Sequence, residues 1–578
     1  MSDIPRDDDA TVALGRRLLS AIPGMNGESA KAQKPPASPF GMIKGLITRD
    51  TLPRIILICI AAAMSATGIL FALNAESKAV EGQHYDPRLA VLFVILILGY
   101  RLTQNLLIAS AGRSIERALD VKRQSVSNDV LQLSLLNVES VTRQEIRDGM
   151  SSHYASFSQT IVPLIFGFEA LFLLGFMFVY VLTLSFFAGV LTVAVVLITL
   201  LGYARGAQAA RKRLAETAAH EAQYRRITEL VLGGVKELRF NQTKRTQVQD
   251  ALNTFSGHIS TGRSSSAKMM GQLIATGTTV SYMMAGTVVF IMPLFSDQQN
   301  HELSRIVVAV IFLLGPIGSL VQTSQQFTMA RFALSEINKF EASVRNLVAT
   351  QDAPVLDETW DRDTFETLLI RDLTFQHNGD SGFGVTAGAL DINRGEVVFM
   401  TGGNGSGKTT LLRVLSGLYP RQTGEITING TQIPQHTPQQ YRDLFASVFT
   451  DFCIFDQAYG LDEAGIARLE HWLTVIGVRD KLGMPVNLAQ AASLSTGQRK
   501  RVALALALAE DRPVLILDEW AADQDPQTRR MFYTELLPQL KQAGTTVFAI
   551  THDEQYFAYC DRRVHMNEGQ LTEGAENE

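Results

Sequence analysis

The stretch Val397-Val-Phe-Met-Thr-Gly402-Gly-Asn-Gly-Ser-Gly-Lys408-Thr409-Thr410 decides the fold of the C-terminal part of this chain. Its apolar start predicts a buried strand, its glycines predict a tight loop, and the Leu411-Leu-Arg-Val-Leu that follows predicts a helix. The pattern GxxxxGK[ST] in this context is typical of a phosphate-binding loop, because glycines let N–H groups turn toward phosphate oxygens at a helix N-terminus. The residues predicted to bind nucleotide here are Gly402, Asn404, Gly405, Ser406, Gly407, Lys408, Thr409 and Thr410.

Two later strands of this α/β domain end in residues that suit phosphate chemistry. Pro513-Val-Leu-Ile-Leu leads into Asp518-Glu519, and Thr545-Thr-Val-Phe-Ala-Ile leads into Thr551-His552. The carboxyl ends of parallel strands meet at one edge of a sheet, where ligands of open α/β folds bind. We expect ATP and Mg²⁺ at this edge.

Each polar side chain has an expected role in ATP hydrolysis. Lys408 should reach the β- and γ-phosphates, and Thr409 and Asp518 should bind Mg²⁺. Glu519 should polarise the attacking water, and His552 should contact the γ-phosphate. Glu519 and His552 are therefore the predicted catalytic residues.

The N-terminal part of the chain is apolar enough for a membrane. Stretches of about 20 apolar residues predict membrane spans. The predicted spans are Ile55 to Leu73, a second beginning at Leu89, a third and fourth within Ile161 to Tyr203 with a turn near Thr183 to Ser185, a fifth from Met269 to Leu294 and a sixth from Ile306 to Phe327. Six spans place both ends of this domain on one side of the bilayer.

Charge decides the side. Eight Lys/Arg precede the first span, seven lie between Arg101 and Thr160, and twelve lie between Arg205 and Lys268, whereas the alternate loops hold almost none. By the positive-inside rule the termini and both long loops are cytoplasmic. The net charge of −5 argues neither for nor against nucleic acid, but six fused spans disfavour a nucleic-acid partner. Three dispersed cysteines indicate neither a disulfide framework nor a zinc site.

Four segments follow from these patterns. We expect a flexible cytosolic tail over 1–45, a transmembrane domain of six helices over 46–341, a linker over 342–363 and an ATP-hydrolysing domain over 364–578. Within the second long loop, Glu229-Leu-Val-Leu-Gly233-Gly234-Val-Lys-Glu-Leu has two interpretations. It is either a turn between two amphipathic helices or a short transverse helix that docks onto an ATP-hydrolysing domain.

A further motif, Leu494-Ser-Thr-Gly-Gln498, precedes a strongly helical stretch. Ser495 and the Gly497 N–H would present donors to an anion at a helix N-terminus. Together with the phosphate loop, this motif resembles the signature of the ABC ATPase domain, LSGGQ, with Thr496 in place of its first glycine. With six spans before it, the chain resembles an exporter half-transporter of the type IV ABC fold.

This resemblance implies a dimer in the bilayer, because in that family the signature of one subunit closes over nucleotide bound to the other. A homodimer, or a heterodimer with a similar half, would follow. It implies ligand roles for Ser495, Gly497 and Gln498, and for Asp525 as the aspartate that crosses the interface. It also implies that the Gly233-Gly234 segment is a coupling helix.

A narrower resemblance concerns cargo. The run Asp518-Glu-Trp-Ala-Ala-Asp-Gln-Asp-Pro526 is similar to that of exporters of cyclic and siderophore-related peptides, including pyoverdine, syringomycin and microcin exporters. It implies export of a cyclic, lasso or siderophore-related peptide across the bacterial inner membrane, with the termini in the cytoplasm. The alternatives are a lipid or multidrug flippase and, from another class, a membrane-anchored ATPase that acts as a sensor or regulator.

Two positions depart from the family pattern. The usual glutamine that senses Mg²⁺ aligns with Thr450, followed by Asp451, and either residue or a water could replace it. The aromatic residue that stacks on adenine would be His377.

Polar residues within the spans are candidates for contact with cargo. An intramembrane carboxylate is costly, so Glu169 is expected to face the central cavity, the alternative being a structural pair with a neighbouring helix. Gln322, Thr323, Gln325 and Gln326 make the end of the sixth span polar, as a water-filled vestibule requires. We take Glu169 and Gln322 as the candidate cargo residues.

Overall fold

The structure is a computed structural model that describes residues 51–81, 86–141, 143–291, 303–349, 363–377 and 383–573. The chain forms two compact units. The first takes in the chain up to Leu131 and Arg143–Asn346, and the second takes in Gln132–Thr142 and Leu347–Glu578. The tail predicted over 1–45 lies outside the described residues.

The first unit is helical. The α-helices described between residues 51 and 349 are, in chain order, α1 Leu52–Glu81, α2 Pro87–Leu131, α3 Leu135–Ser140, α4 Arg143–Arg147, α5 His153–Ser158, α6 Ile161–Leu184, α7 Phe186–Gly233, α8 Val235–Phe240, α9 Gln242–Gly286 and α10 Leu303–Ala349. Of these, the short α3 belongs to the second unit. Helix α10 continues to Ala349, so residues 342–349 of the predicted linker are helical, and 350–362 lies outside the described residues.

Four stretches of the described chain are long and apolar enough to cross a membrane. They are Leu52–Glu76, Pro87–Leu131, Glu145–Leu184 and Arg305–Ala349, and they contain the predicted first, second, third and sixth spans. The predicted fourth span lies in α7. The fifth begins in α9 and continues past Ile291, outside the described residues.

The predicted turn between the third and fourth spans is confirmed. Helix α6 ends at Leu184, Ser185 is extended at φ −158°, and α7 begins at Phe186. The Ser185 hydroxyl accepts a hydrogen bond from the Ala188 N–H at 3.4 Å, so it caps the new helix. A single extended residue therefore reverses an otherwise apolar stretch.

Close packing joins α6 to α10. A Cβ at Gly167 would overlap the Thr323 side chain, and the Thr323 hydroxyl donates to the Pro163 carbonyl at 2.9 Å. Small residues permit this approach in membrane helices, and the hydroxyl satisfies a backbone acceptor there. Thr323 is thus buried in helix packing rather than lining a vestibule, whereas Gln322 is exposed in the single chain.

The predicted position of Glu169 in a central cavity is wrong. Its side chain is buried in α6 at 4% exposure, and its Oε1 accepts a hydrogen bond from Gln104 Nε2 on α2 at 2.5 Å. Gln104 also donates to the Tyr100 hydroxyl at 3.0 Å. A carboxylate in an apolar helix is costly unless it is hydrogen-bonded, and the neighbouring helix supplies that bond. The structure therefore matches the alternative of a structural pair.

The Gly233-Gly234 segment forms a short helix between two long ones. Helix α7 ends at Gly233, and the six-residue α8 follows before α9 begins at Gln242. Four large apolar side chains around it are solvent-exposed. They are Leu230 at 66%, Leu232 at 72%, Val235 at 44% and Phe240 at 93%. Clustered exposed apolar side chains are typical of interaction surfaces.

The second unit is built on a mixed sheet. Its described strands are β1 Thr367–Gln376, β2 Gly384–Asn393, β3 Val397–Gly402, β4 Thr423–Ile428, β5 Thr431–Gln432, β6 Phe445–Val448, β7 Val514–Asp518, β8 Thr546–Ile550, β9 Arg562–Asn567 and β10 Gln570–Glu573. Their order is β5-β4-β1-β2-β10-β9-β3-β8-β7-β6. Strands β9, β3, β8, β7 and β6 are parallel, and β7 and β8 are buried at every residue.

Helices accompany the parallel strands, as continuous apolar strands require. They are α11 Lys408–Leu415, α12 Gln439–Arg442, α13 Glu463–Val475, α14 Thr496–Ala509, α15 Pro526–Met531 and α16 Leu537–Gln542. Since β8 lies between β3 and β7, the carboxyl ends of these three strands are adjacent. This edge carries the residues predicted to bind nucleotide.

Candidate active site

The loop between β3 and α11 has the backbone that its glycines predict. Gly402, Gly405 and Gly407 have φ values of 144°, 78° and 105°, a region that residues with a Cβ avoid. At Gly402 there is also no room for a side chain, because a Cβ would overlap the Met566 backbone oxygen on β9. The neighbouring strand therefore restricts this position to glycine independently of any ligand.

Lys408 begins α11 and reaches back across the loop. Its Nζ donates to the carbonyls of Gly402 and Gly403, both at 2.9 Å, and its side chain is buried at 6% exposure. Burial lowers the pKa of this ammonium, and the nearby charges of Glu519 and Asp518 oppose that effect. The loop thus holds a buried cation beside backbone N–H groups, which suits phosphate oxygens.

The two predicted Mg²⁺ ligands lie together. The Thr409 hydroxyl donates to Asp518 Oδ2 at 3.0 Å and to Oδ1 at 3.2 Å. Asp518 is 1% exposed, and burial raises the pKa of its carboxyl while the Thr409 hydrogen bond opposes the rise. A hydroxyl and a carboxylate oxygen next to a phosphate loop are the hard donors that Mg²⁺ prefers, so these residues fit the ion.

Glu519 and His552 also meet at the sheet edge. His552 Nε2 lies 3.5 Å from Glu519 Oε1, although the two residues follow different strands. Glu519 has φ 50° and ψ 38°, a left-handed conformation that is uncommon for a residue with a side chain. Backbone conformations of this kind concentrate at functional sites. Glu519 thus leaves β7 in a turn, and it shares a cavity with residues of the phosphate loop.

A cavity of about 430 Å³ lies where these groups converge. Its lining residues are Phe383, Asn404, Gly405, Gly407, Lys408, Thr409, Thr410, Thr450 and Glu519. Six of the eight phosphate-loop residues predicted from sequence therefore share one cavity with Glu519. Gly402 and Ser406 support the loop instead, Ser406 through its carbonyl, which accepts from the Gly569 N–H at 2.9 Å.

Phe383 is the residue that sequence reasoning missed. The expected aromatic, His377, packs edge-on against Phe375 and Tyr419, with ring centroids 4.9 and 5.6 Å away, and is not among the lining residues. The His377 N–H donates to the Phe383 carbonyl at 3.2 Å across the β1–β2 connection. An aromatic residue after Ser381-Gly382, just before a strand, was the available signal.

Thr450 and Asp451 have separate environments. Thr450 lines the cavity with its Oγ1 3.5 Å from Asp518 Oδ2. Asp451 points elsewhere and forms an ion pair with Arg413 at 3.0 Å. Of the two candidates for the missing glutamine, Thr450 is the one that faces the predicted Mg²⁺ ligand.

The signature residues form a helix start away from this cavity. The Ser495 hydroxyl accepts from the Gln498 N–H at 3.4 Å, and the Ser495 N–H donates to Gln498 Oε1 at 3.2 Å, a capping box at the start of α14. A Cβ at Gly497 would lie 2.7 Å from the Asp523 carbonyl oxygen. Asp525 caps α15 through the Thr528 N–H at 3.0 Å. Within one chain, these residues are not among those that line the cavity.

Lys500 joins helix α14 to the residue that follows strand β7. Its side chain is 4% exposed, and its Nζ donates to the Glu519 carbonyl at 2.9 Å and pairs with Asp523 at 2.7 Å. In return, the buried Trp520 indole donates to the Lys500 carbonyl at 2.8 Å. Lys500 thus holds the backbone carbonyl of Glu519 and the side chain of the next residue, Trp520.

Replacing Lys500 by Met is expected to destabilise the protein by about 2 kcal/mol, because the Glu519 carbonyl would lose its hydrogen bond in a buried site. That loss corresponds to a fall in the unfolding temperature of roughly 4–8 °C for a unit of this size. Thermal unfolding of the full-length protein in detergent measures it. Lys481→Met, at an exposed lysine, is the matched control, and equal unfolding temperatures for both variants would contradict the expectation.

Known proteins resemble this chain in sequence and in fold. A family model described as ABC transporter matches residues 386–522. The ATP-binding protein SyrD of Pseudomonas syringae pv. syringae is 31% identical over 426 residues, which cover 71% of this chain and 74% of SyrD. The Fe(3+) ions import ATP-binding protein FbpC of Streptomyces avermitilis is 36% identical over 193 residues, 32% of this chain and 55% of FbpC.

One solved structure extends the likeness to the whole architecture. The structure of a bacterial Atm1-family ABC exporter with ATP bound superposes with a TM-score of 0.72 at 17% identity, covering 91% of this chain and 94% of that one. At this identity the match concerns the fold. It pairs a helical membrane domain with an α/β nucleotide-binding domain, which confirms the predicted fold class.

Proposed function

The chain belongs to the ABC transporter family, and from that membership we propose that two copies of it form an exporter that moves a peptide-type natural product out of the bacterial cytosol. The family and the exporter fold mean that ATP hydrolysis is coupled to transport. The observation that carries the proposal is that Lys408, Thr409 and Glu519 line one cavity, with Asp518 hydrogen-bonded to Thr409, in a chain that has the fold of an ABC exporter.

Within the cavity each residue has a distinct task. Lys408 and the loop N–H groups bind the phosphates, and Phe383 stacks on the base. Thr409 and Asp518 would hold Mg²⁺, which supplies positive charge against the phosphate oxygens. Glu519 accepts a hydrogen bond from the attacking water and orients it, while His552, 3.5 Å away, contacts the terminal phosphate.

Two features support a dimer. The signature residues Ser495 and Gly497 lie outside the cavity of their own chain, so they are available to a nucleotide bound to a second copy. The exposed apolar side chains around α8, including Leu232 and Phe240, are costly to leave in water. We propose that α8 is the coupling helix and docks onto the ATP-hydrolysing domain of the second copy.

Mixed dimers test this arrangement. If Lys408 of one copy and Gly497 of the other share one site, a dimer of a Lys408→Met chain with a Gly497→Ala chain keeps its second site intact. A dimer of a doubly substituted chain with a wild-type chain then loses both sites. Tandem affinity tags isolate each mixed dimer, and ATP hydrolysis is measured. Higher activity in the doubly substituted pairing would contradict the shared site.

The cargo proposal rests on the Asp518–Pro526 run, which is similar to that of peptide exporters. Inside-out proteoliposomes with MgATP should accumulate a labelled cyclic lipopeptide, lasso peptide or siderophore peptide. A fluorescent phosphatidylcholine and a lipophilic cationic dye serve as probes for the flippase and multidrug alternatives. ATP-dependent movement of those probes alone would contradict peptide export. Cargo binding without any ATP-dependent movement would support a sensor.

Membership in the family places the protein in a membrane, and we propose the bacterial inner membrane with both termini in the cytoplasm. The distribution of Lys and Arg supports this topology. Cysteines introduced near each terminus should react with a membrane-impermeant maleimide only in inverted vesicles. Labelling in intact cells would contradict it.

A further inference from the structure

Helix α3 is separated from the membrane helices by its packing. The chain leaves the first unit after Leu131 and returns to it at Arg143, and the segment between belongs to the second unit. The Ser134 hydroxyl caps α3 by accepting from the Asn137 N–H at 3.3 Å. Leu135 and Leu136 pack against the buried cluster that contains Tyr419. Helix α3 therefore packs within the second unit, although the chain on both sides of it belongs to the first.

The Glu139 carboxylate on α3 contacts two side chains of the second unit. Its Oε2 accepts from the Tyr419 hydroxyl at 2.6 Å, and its Oε1 pairs with Arg413 Nη1 at 3.0 Å. Tyr419 is 2% exposed and stacks on Phe375, with ring centroids 5.1 Å apart, so its hydroxyl is held in place. A hydrogen bond from a buried hydroxyl to a carboxylate is among the stronger kinds.

Arg413 connects Glu139 to a second carboxylate. Its Nη2 pairs with Asp451 Oδ2 at 3.0 Å, while its Nη1 also donates to the Tyr419 hydroxyl at 2.8 Å. Its guanidinium carbon lies 5.5 and 5.9 Å from the ring centres of Tyr419 and Phe449. The side chain is 16% exposed. A planar guanidinium between two rings can hold two carboxylates in fixed directions, which the single ammonium of lysine cannot do.

Both ends of this link lead to the hydrolysis site. Arg413 lies on α11, the helix that begins with Lys408 and Thr409. Asp451 directly follows Thr450, whose Oγ1 lies 3.5 Å from Asp518 Oδ2. Glu139 and Asp451 thus belong to different elements and share Arg413.

We propose that Arg413 is a positioning residue that couples helix α3 to the ATP-hydrolysis site through Asp451 and Thr450. Displacement of Glu139 changes the position of Arg413, and Asp451 follows because it is held by the other guanidinium nitrogen. Thr450 then moves relative to Asp518. The inference rests on the proposed roles of Asp518 and Glu519 in hydrolysis, and it does not depend on the cargo.

A double-mutant cycle on the full-length protein tests the coupling. ATP hydrolysis is measured in nanodiscs of phosphatidylethanolamine and phosphatidylglycerol for Glu139→Gln, Asp451→Asn and the double variant. We expect each single variant to lower kcat about three- to tenfold with KM for ATP nearly unchanged, and the double variant to be no worse than the poorer single one. Arg413→Lys should resemble these variants, because one ammonium cannot span both carboxylates.

Asp456→Asn, at an exposed carboxylate five residues after Asp451, is the control and should match wild type. Two results would overturn the proposal. One is a wild-type kcat for Glu139→Gln or Arg413→Lys. The other is independent effects of Glu139→Gln and Asp451→Asn, whose fold-losses would then multiply in the double variant.

Hydrogen exchange gives a readout that does not need hydrolysis. Asp451→Asn should speed exchange of the α3 amides, because Arg413 bonds both Asp451 and Glu139. Unchanged exchange in α3 would also overturn the link. A wild-type protein that binds ATP without hydrolysing it would contradict the hydrolysis site itself, and the exchange result would still decide the coupling.

Discussion

Glu519→Gln is expected to lower kcat for ATP hydrolysis by about 10²–10⁴-fold, the range typical for loss of a positioned acid–base group. Glu519 lines the nucleotide cavity and lies 3.5 Å from His552 Nε2, where it can orient a water toward the terminal phosphate. An amide has the same shape, but it cannot accept the proton of that water at neutral pH. ATP binding should be preserved, because the phosphate loop is untouched.

The measurement is steady-state hydrolysis together with binding of a fluorescent ATP analogue by the same preparation. Glu535→Gln, at an exposed glutamate on the helical side of the unit, controls for the loss of one carboxylate and should retain full activity. Transport by the Glu519 variant in proteoliposomes should be lost with hydrolysis. Hydrolysis within tenfold of wild type would show that another group orients the water.

Lys408→Met is expected to weaken ATP binding about 10- to 100-fold, because charge-assisted hydrogen bonds contribute roughly 1.5–3 kcal/mol. Lys408 is buried at the start of α11 and reaches the carbonyls of Gly402 and Gly403. Methionine retains much of the aliphatic volume but provides no cation for the phosphates. Hydrolysis should fall as a consequence of lost binding.

Equilibrium titration with the fluorescent analogue measures this effect directly, and Lys481→Met serves as the control at an exposed lysine. ATP affinity should distinguish the two variants, since the Glu519 variant binds ATP without hydrolysing it and the Lys408 variant binds it poorly. A Lys408→Met protein with wild-type affinity would contradict the assignment of this loop as the phosphate site.

Most of the proposed nucleotide site could be predicted from the sequence because its determinants are local. Glycines at positive φ, a lysine at the first helical turn and acids at a strand end can each be recognised within a few residues. The turn at Ser185 was predictable for a similar reason, since an apolar stretch twice the length of a membrane span must reverse near its polar middle.

Pairs of side chains that are distant in sequence could not be predicted in this way. Glu169 was expected in a cavity because the cost of an intramembrane carboxylate was visible, whereas its partner Gln104 lies 65 residues earlier. Phe383 enters the cavity because β1 and β2 pair, and periodicity alone does not reveal what a strand connection will face.

The sequence by itself determined the prediction of a phosphate loop for ATP and of a membrane-spanning domain, since both depend on short motifs and on hydrophobic length. Tertiary structure decided which side chains meet at a distance. It brought Thr409 to Asp518, His552 to Glu519 and Arg413 to Glu139 and Asp451. The physical reason is that these contacts depend on the order of strands and on the packing of helices, which the local sequence does not encode.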